Sequence, residues 1–374
     1  MKKSVSILLF AICVSTFAVA GDFSFVFDSI ETHPEFLYDF FPTYYRAGCN
    51  YSGFELIEGN MTEVILVGGA GYGHTKLWTD YAGLPFGPGS VDTENETFRD
   101  LQSYNSVLLD ADLRLQQSLN PVVVPAPGKL AAYLEYGIAW MNPLENGDGS
   151  YGLDGTDKAY PDNPGALWNE ISVGVFLDTI EKAAVRSGYR GEVVAAFAPR
   201  FLANSVIGET NYKMITGSFV SYFPIYAVSQ ANGFNLFGIY LADRAAAILA
   251  SGDAFPQREQ YPIALGTLVR GFEKNSFGTS FVAVNNFEVR FSGPELLLRK
   301  LYPRLHLFFD VGAYAGEYLN TGYKDSGVIA STGFEAALSL VDLFSAGYRG
   351  AFAVKGNNVN DSVYTGGIML NLQF

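Results

Sequence analysis

The sequence predicts an all-β protein, a transmembrane antiparallel β-barrel built as one domain. Three observations carry this. Segments of about ten residues alternate apolar and polar side chains with period two, as strands with one face in lipid and one in water do. The turn-rich segments between them alternate short and long, and aromatic residues gather at segment ends. A secreted sandwich also alternates with period two; the loop asymmetry and the aromatic placement favour the barrel.

The chain opens with Lys2 and Lys3, an apolar run from Ser6 to Phe17, and the small-residue site Ala18-Val19-Ala20 before Gly21. This predicts a secretory signal peptide over residues 1–20, cleaved after Ala20, with an apolar run too short to anchor in a bilayer. A lipoprotein site at Cys13 is disfavoured because Ile12 is bulky where a small residue is required. Residues 21–374 contain no linker, charge block or composition shift and read as a single outer-membrane barrel domain. Its one cysteine, Cys49, cannot form an intramolecular disulfide.

The first plausible strand begins near Tyr44. Further along, Val107, Leu109, Ala111, Leu113 and Leu115 form an apolar face opposite Asp110, Asp112, Arg114 and Gln116. Leu130, Ala132, Leu134, Tyr136, Ile138 and Trp140 repeat the pattern, as do Ile171, Val173, Val175 and Leu177. Helical spacing would scatter these sets around an axis, whereas a strand sorts them onto two faces. From Met214 to Ala242 there is no charge, but Pro224 and the polar break from Ser229 to Gly233 give two strands and a turn rather than a membrane helix.

The connection near Asp342 is short and the one from Gly147 to Asn163 is long and polar. Tyr222-Phe223, Tyr302 and Tyr364 suit an interfacial girdle. The chain ends with Ile368, Leu370, Leu372 and Phe374 on one face, the closing strand and terminal aromatic of an outer-membrane barrel. About 13 or 14 strands are distinct, and at roughly 22 residues per strand plus turn the length suits about 16, an even number with both ends periplasmic.

Composition narrows the function. With 49% hydrophobic and 17% charged residues the chain is too apolar for disorder. It lacks the repeated long apolar stretches of a helical membrane bundle. A net charge of −14 opposes a nucleic-acid partner. Gly68 to Lys76 has the glycines of a phosphate loop, but His74-Thr75 intervene before Lys76 and the flanks read as strand. His33, His74 and His306 lack metal-ligand spacing, and no Gly-x-Ser-x-Gly elbow is present. Neither metal nor cofactor is expected, and no enzyme activity. Asp110 and Asp112 read as a hydrated wall rather than an acid/base pair.

The most informative region starts in the long connection after Pro256 to Pro262, where Val269-Arg270-Gly271-Phe272 is followed by Asn275-Ser276-Phe277-Gly278. A strand from Phe281 to Phe291 then places Asn286, Glu288 and Arg290 on one face and Phe287, Val289 and Phe291 on the other. The next places His306, Phe308, Asp310 and Gly312 inward, opposite Leu305, Leu307, Phe309 and Val311. An arginine in a narrow lumen is costly unless paired, and its planar fork suits carboxylates on a rigid wall. The alternative leaves Arg270 in a solvated loop and the acids lining a wet pore.

The Val-Arg-Gly-Phe loop, the strand Asn-Asn-Phe-Glu-Val-Arg-Phe, the strand Phe-Phe-Asp-Val-Gly-Ala-Tyr and the aromatic C-terminus resemble the BamA-like superfamily of outer-membrane barrels, the bacterial surface antigen family. The resemblance is specific over about the last 110 residues. It implies that the extracellular loop folds back into the lumen, where Arg270 meets Glu288 and Asp310. The family's assembly and secretion members carry periplasmic receptor (POTRA) domains. Only about 23 residues separate Gly21 from Tyr44, too few for one, so a barrel-only member is expected.

The expected function is an integral outer-membrane barrel, in contact with outer-membrane lipid. It would assist protein or lipid insertion or transport at a weak seam between first and last strands, with a periplasmic partner protein. Two alternatives stand beside it. One is a passive channel whose Asp110, Asp112, Glu135, Glu170 and Asp178 favour cations; the other is a surface adhesin or antigen acting through Gly147 to Asn163.

Overall fold

Among the residues that the computed structural model describes, fourteen β-strands follow one another, each antiparallel to the next. Described are residues 22–27, 44–79, 100–120, 129–144, 165–181, 184–229, 235–255, 264–272, 277–296, 301–318, 324–340, 344–356 and 363–372. The expected signal peptide over residues 1–20, the connections Gly147 to Asn163 and around Asp342, Asn275, Ser276, His33 and Phe374 lie outside the described residues. The strands are β1 (Asp22–Phe27), β2 (Tyr44–Ile57), β3 (Asn60–Thr79), β4 (Asp100–Ser118), β5 (Lys129–Pro143), β6 (Ala166–Asp178) and β7 (Gly188–Ala198). They continue with β8 (Asn211–Ser229), β9 (Asn235–Ala254), β10 (Thr279–Ser292), β11 (Leu301–Tyr318), β12 (Lys324–Leu340), β13 (Phe344–Lys355) and β14 (Tyr364–Leu372).

The sheet order equals the sequence order, the meander that direct connections produce. Among the described residues β1 pairs only with β2, and β14 only with β13. The expectation from length was two strands more. Fourteen are present among the described residues, and β3 and β9 span 20 residues each. The expectation of a first strand near Tyr44 is corrected: β1 precedes it, pairing Asp22 to Phe27 with Ser52 to Ala47. Its six residues are too short a run to be read as a strand on their own.

Gly68 to Lys76 lies within β3, where the phosphate-loop geometry cannot form. The uncharged stretch from Met214 to Ala242 is β8 and β9, and no helix among the described residues is long and apolar enough to cross a membrane. Pro224 sits inside β8 rather than ending it, at a register shift between Pro224 and Tyr226 that accommodates its missing N–H.

Burial alternates along the strands in the sense opposite to a soluble protein. In β6 Ser172 is 4% exposed while its neighbour Val173 is 50% exposed. Leu109, Leu113, Leu134, Val193 and Leu249 are likewise exposed on the outer face, and Gln116, Tyr133, Asn286 and Asp310 are buried on the inner one. Aliphatic side chains this exposed over many strands are stable only against another apolar phase.

The inner face is covered by the connection between β9 and β10. Leu265, Val269, Phe272 and Phe277 of this connection form one buried cluster with Tyr212, Ile248, Val282, Val284, Tyr314 and Ile329 from the strands. Gly312 makes room for it: a Cβ there would lie 2.5 Å from a methyl carbon of Leu265.

Candidate functional site

The connection reaches the sheet through one helical turn, Leu265–Leu268, which closes with Val269 N–H donating to Leu265 C=O at 2.9 Å. Asn286 on β10 donates from Nδ2 to the Leu268 carbonyl at 2.9 Å, so the strand holds the last residue of the turn. Gly271 then takes φ 91°, a backbone conformation that costs a glycine little. The chain reverses there close against Ala351 of β13, whose Cβ would lie 2.9 Å from any Cβ at position 271. Between these constraints Val269 is fully buried, and the Arg270 side chain projects onto the inner face.

Three carboxylates receive it. Arg270 Nε and Nη2 donate to the two oxygens of Asp310 at 2.8 and 2.7 Å, a bidentate pair. Nη1 donates to Glu288 Oε1 at 2.6 Å and to Glu335 Oε1 at 3.2 Å. The guanidinium carbon lies 3.7 Å from the centre of the Phe308 ring, so one face of the plane is stacked while its edges are hydrogen-bonded. Asp310 is completely buried.

The network reaches further than these four. Arg290 Nε donates to Glu288 Oε2, and Arg349 Nε donates to Glu335 Oε1 at 2.6 Å. His306 Nδ1 lies 3.4 Å from Glu335 Oε2. Register explains the assembly: Arg290, His306, Glu335 and Arg349 are directly opposite one another across β10, β11, β12 and β13. Three arginines thus face three carboxylates, the charge balance a buried cluster requires.

The structure therefore brings Arg270, Glu288 and Asp310 together, with Val269 and Phe272 buried beside them and Gly271 at the reversal. Glu335 and Arg349 are the partners that the sequence reading did not reach. The signal for both was parity: continuing the inward register across two more strands places Glu335 opposite His306, and Arg349 opposite Glu335. Among the described residues no group of His, Cys, Asp and Glu is arranged to hold a metal ion. The arrangement is a clamp. One loop joins β10, β11 and β12 through ion pairs, and β14 through Thr365 Oγ1, which donates to the Gly271 carbonyl at 3.0 Å.

No family model matches the sequence, and no curated protein matches it. Solved structures are similar to the chain. BamA from Haemophilus ducreyi lacking POTRA domains 1–3 is 12% identical over 95% of this chain and 70% of its own, with a TM-score of 0.49. CdiB from Acinetobacter baumannii is 9% identical over 95% of this chain and 60% of its own, with a TM-score of 0.45. The transport unit of the autotransporter AIDA-I from Escherichia coli is 9% identical, covering 91% of this chain and 93% of its own, with a TM-score of 0.25.

Proposed function

We propose that the sheet closes into a BamA-like outer-membrane barrel, β14 meeting β1, with the Arg270 loop folded into its lumen from the outer side. Its role is to assist insertion or transport of proteins or lipids, together with a periplasmic partner. The observation that carries this reading is the inversion of the two faces: exposed aliphatic side chains outside, and the Arg270 clamp with Glu288, Asp310 and Glu335 inside. An even strand number brings both chain ends to the same side of the membrane, and the loop after β9 to the other.

The strands that would meet at closure, β1 and β14, span 6 and 9 residues, against 20 in β3 and β9. A seam between them carries few backbone hydrogen bonds. Unpaired strand edges there are a template for an incoming strand. The clamp holds β10, β11 and β12 together, and the hydrogen bond from Thr365 to the Gly271 carbonyl ties its loop to β14 at the seam. Depleting the protein tests the role: the abundance of other outer-membrane proteins or of outer-leaflet lipid should fall. Unchanged levels of both would remove it.

A passive diffusion channel is favoured by a second observation. The inner face of β4 to β7 carries partly exposed charges, with Arg114 Nε 2.5 Å from Glu135 and Arg190 Nη2 3.0 Å from Glu192. A row of charges left in contact with water is how a pore wall looks. Bilayer conductance with cation preference that is indifferent to Arg270 supports this reading over the first.

A further inference from the structure

The outer face of β9 and β10 contains a polar pair where lipid contact calls for apolar side chains. Asp243 lies on the outward parity of β9 between Leu241 and Ala245, and Asn285 on that of β10 between Ala283 and Phe287. Asn285 Nδ2 donates to Asp243 Oδ1 at 2.8 Å across the diagonal of the ladder. On the outward positions of β8, β9 and β10 between the levels of Leu241 and Leu249, Asp243 is the one ionisable side chain among the described residues. Apolar residues bound the pair along both strands, with Leu249 and Phe281 toward the Arg270-loop end and Leu241 and Val289 toward the other. An ionisable residue in the lipid-facing band is costly, and such residues are retained where a partner meets them.

The surface on one side of the pair is recessed. Gly217, Ala245, Ala247 and Ala283 help to line an open groove of about 720 Å³, and a Cβ at Gly217 would meet nothing within 4 Å. Small residues of this kind let two membrane-embedded surfaces approach closely. Phe219, 44% exposed, also lines it, and Phe287, 40% exposed, is directly opposite Asp243 in the ladder.

We propose that this patch is the contact between two copies of the chain in the membrane. The proposal rests on the membrane-barrel reading above. Among the described residues each member of the pair makes one side-chain hydrogen bond, and that bond is to the other member. Asp243 keeps a second carboxylate oxygen, and Asn285 a second amide N–H. An acceptor and a donor side by side are self-complementary under two-fold rotation, so Asn285 of each copy donates to Asp243 of the other. Lipid tails supply neither group, and a single partner helix would have to supply both.

Cysteine cross-linking of the full chain in native membranes tests this, in a Cys49→Ser background. Ala245→Cys, between the pair and the recess, should give an oxidised species of twice the monomer mass. Leu113→Cys, on the outer face of β4 and away from the recess, should not. Adding Asp243→Ala or Asn285→Ala to the Ala245→Cys chain should reduce the dimer about tenfold, the loss of reciprocal hydrogen bonds worth together about 1.4 kcal/mol. Heat-modifiable migration is recorded for every variant. Monomer alone from Ala245→Cys with heat-modifiability intact would overturn the dimer and leave the barrel standing. A cross-linked band of another mass would overturn it too, by showing a different protein at the patch. Absence of heat-modifiability in the unsubstituted chain would instead remove the barrel beneath both.

Discussion

The backbone N–H and the side-chain Nε of Arg270 converge on the same oxygen of Asp310, at 3.0 and 2.8 Å. Asp310 therefore holds the loop by its main chain as well as by its charge, which neither Glu288 nor Glu335 does. That difference orders the cost of removing each carboxylate.

Asp310→Ala should destabilise the folded protein by about 3–5 kcal/mol, because it leaves Arg270 short of its bidentate partner in a buried site. Glu335→Gln should cost least of the three, since its 3.2 Å contact is the longest and Arg349 shares the same oxygen. Urea titration of heat-modifiable migration measures both. A Glu335→Gln effect equal to that of Asp310→Ala would contradict the ordering.

Arg270→Lys keeps the charge and loses the fork. A lysine cannot donate to both oxygens of Asp310, reach Glu288 and stack on Phe308 in one plane. The expected loss is about 2–3 kcal/mol, and a double-mutant cycle with Asp310→Asn should return most of it as coupling energy. Additive effects would show that the two side chains act independently.

Gly312→Val tests the loop without touching its charges. Any side chain at position 312 collides with Leu265, two positions along β11 from Asp310. The helical turn should lift off, and trypsin added from outside should then cut after Arg270. The wild-type chain should resist that cut. Equal resistance in both would place the loop elsewhere.

Val173→Arg and Ser172→Arg place the same charge on opposite faces of the middle of β6. A charge on the lipid face near the midplane costs about 2–4 kcal/mol, so the Val173 variant should be destabilised in lipid vesicles by at least that much. The Ser172 variant loses a small buried side chain but gains a polar surrounding beside Glu170. Similar stability of the two would contradict the assignment of faces.

Much of the fold was legible because strand parity has period two and survives without any knowledge of partners. Glu288 and Asp310 could be placed inward from Phe287, Val289, Phe309 and Val311 alone. Glu335 was harder to see, since Gly333, Phe334, Ala336 and Ala337 around it alternate weakly and its partner Arg349 is separated from it by a turn. β1 was missed because six residues hold too little pattern to stand out. The Asp243–Asn285 pair is invisible in either strand by itself, since the bond joins a position on β9 to a diagonal one on β10. The strand number depends on where each strand ends, which hydropathy does not report.

The most direct test of the account is single-channel conductance of the detergent-folded protein with and without Arg270. The clamp predicts a small conductance in the wild type that rises in Arg270→Ala as the loop leaves the inner face, with weaker heat-modifiability in the same variant. Identical conductance and identical migration in the two proteins would contradict it.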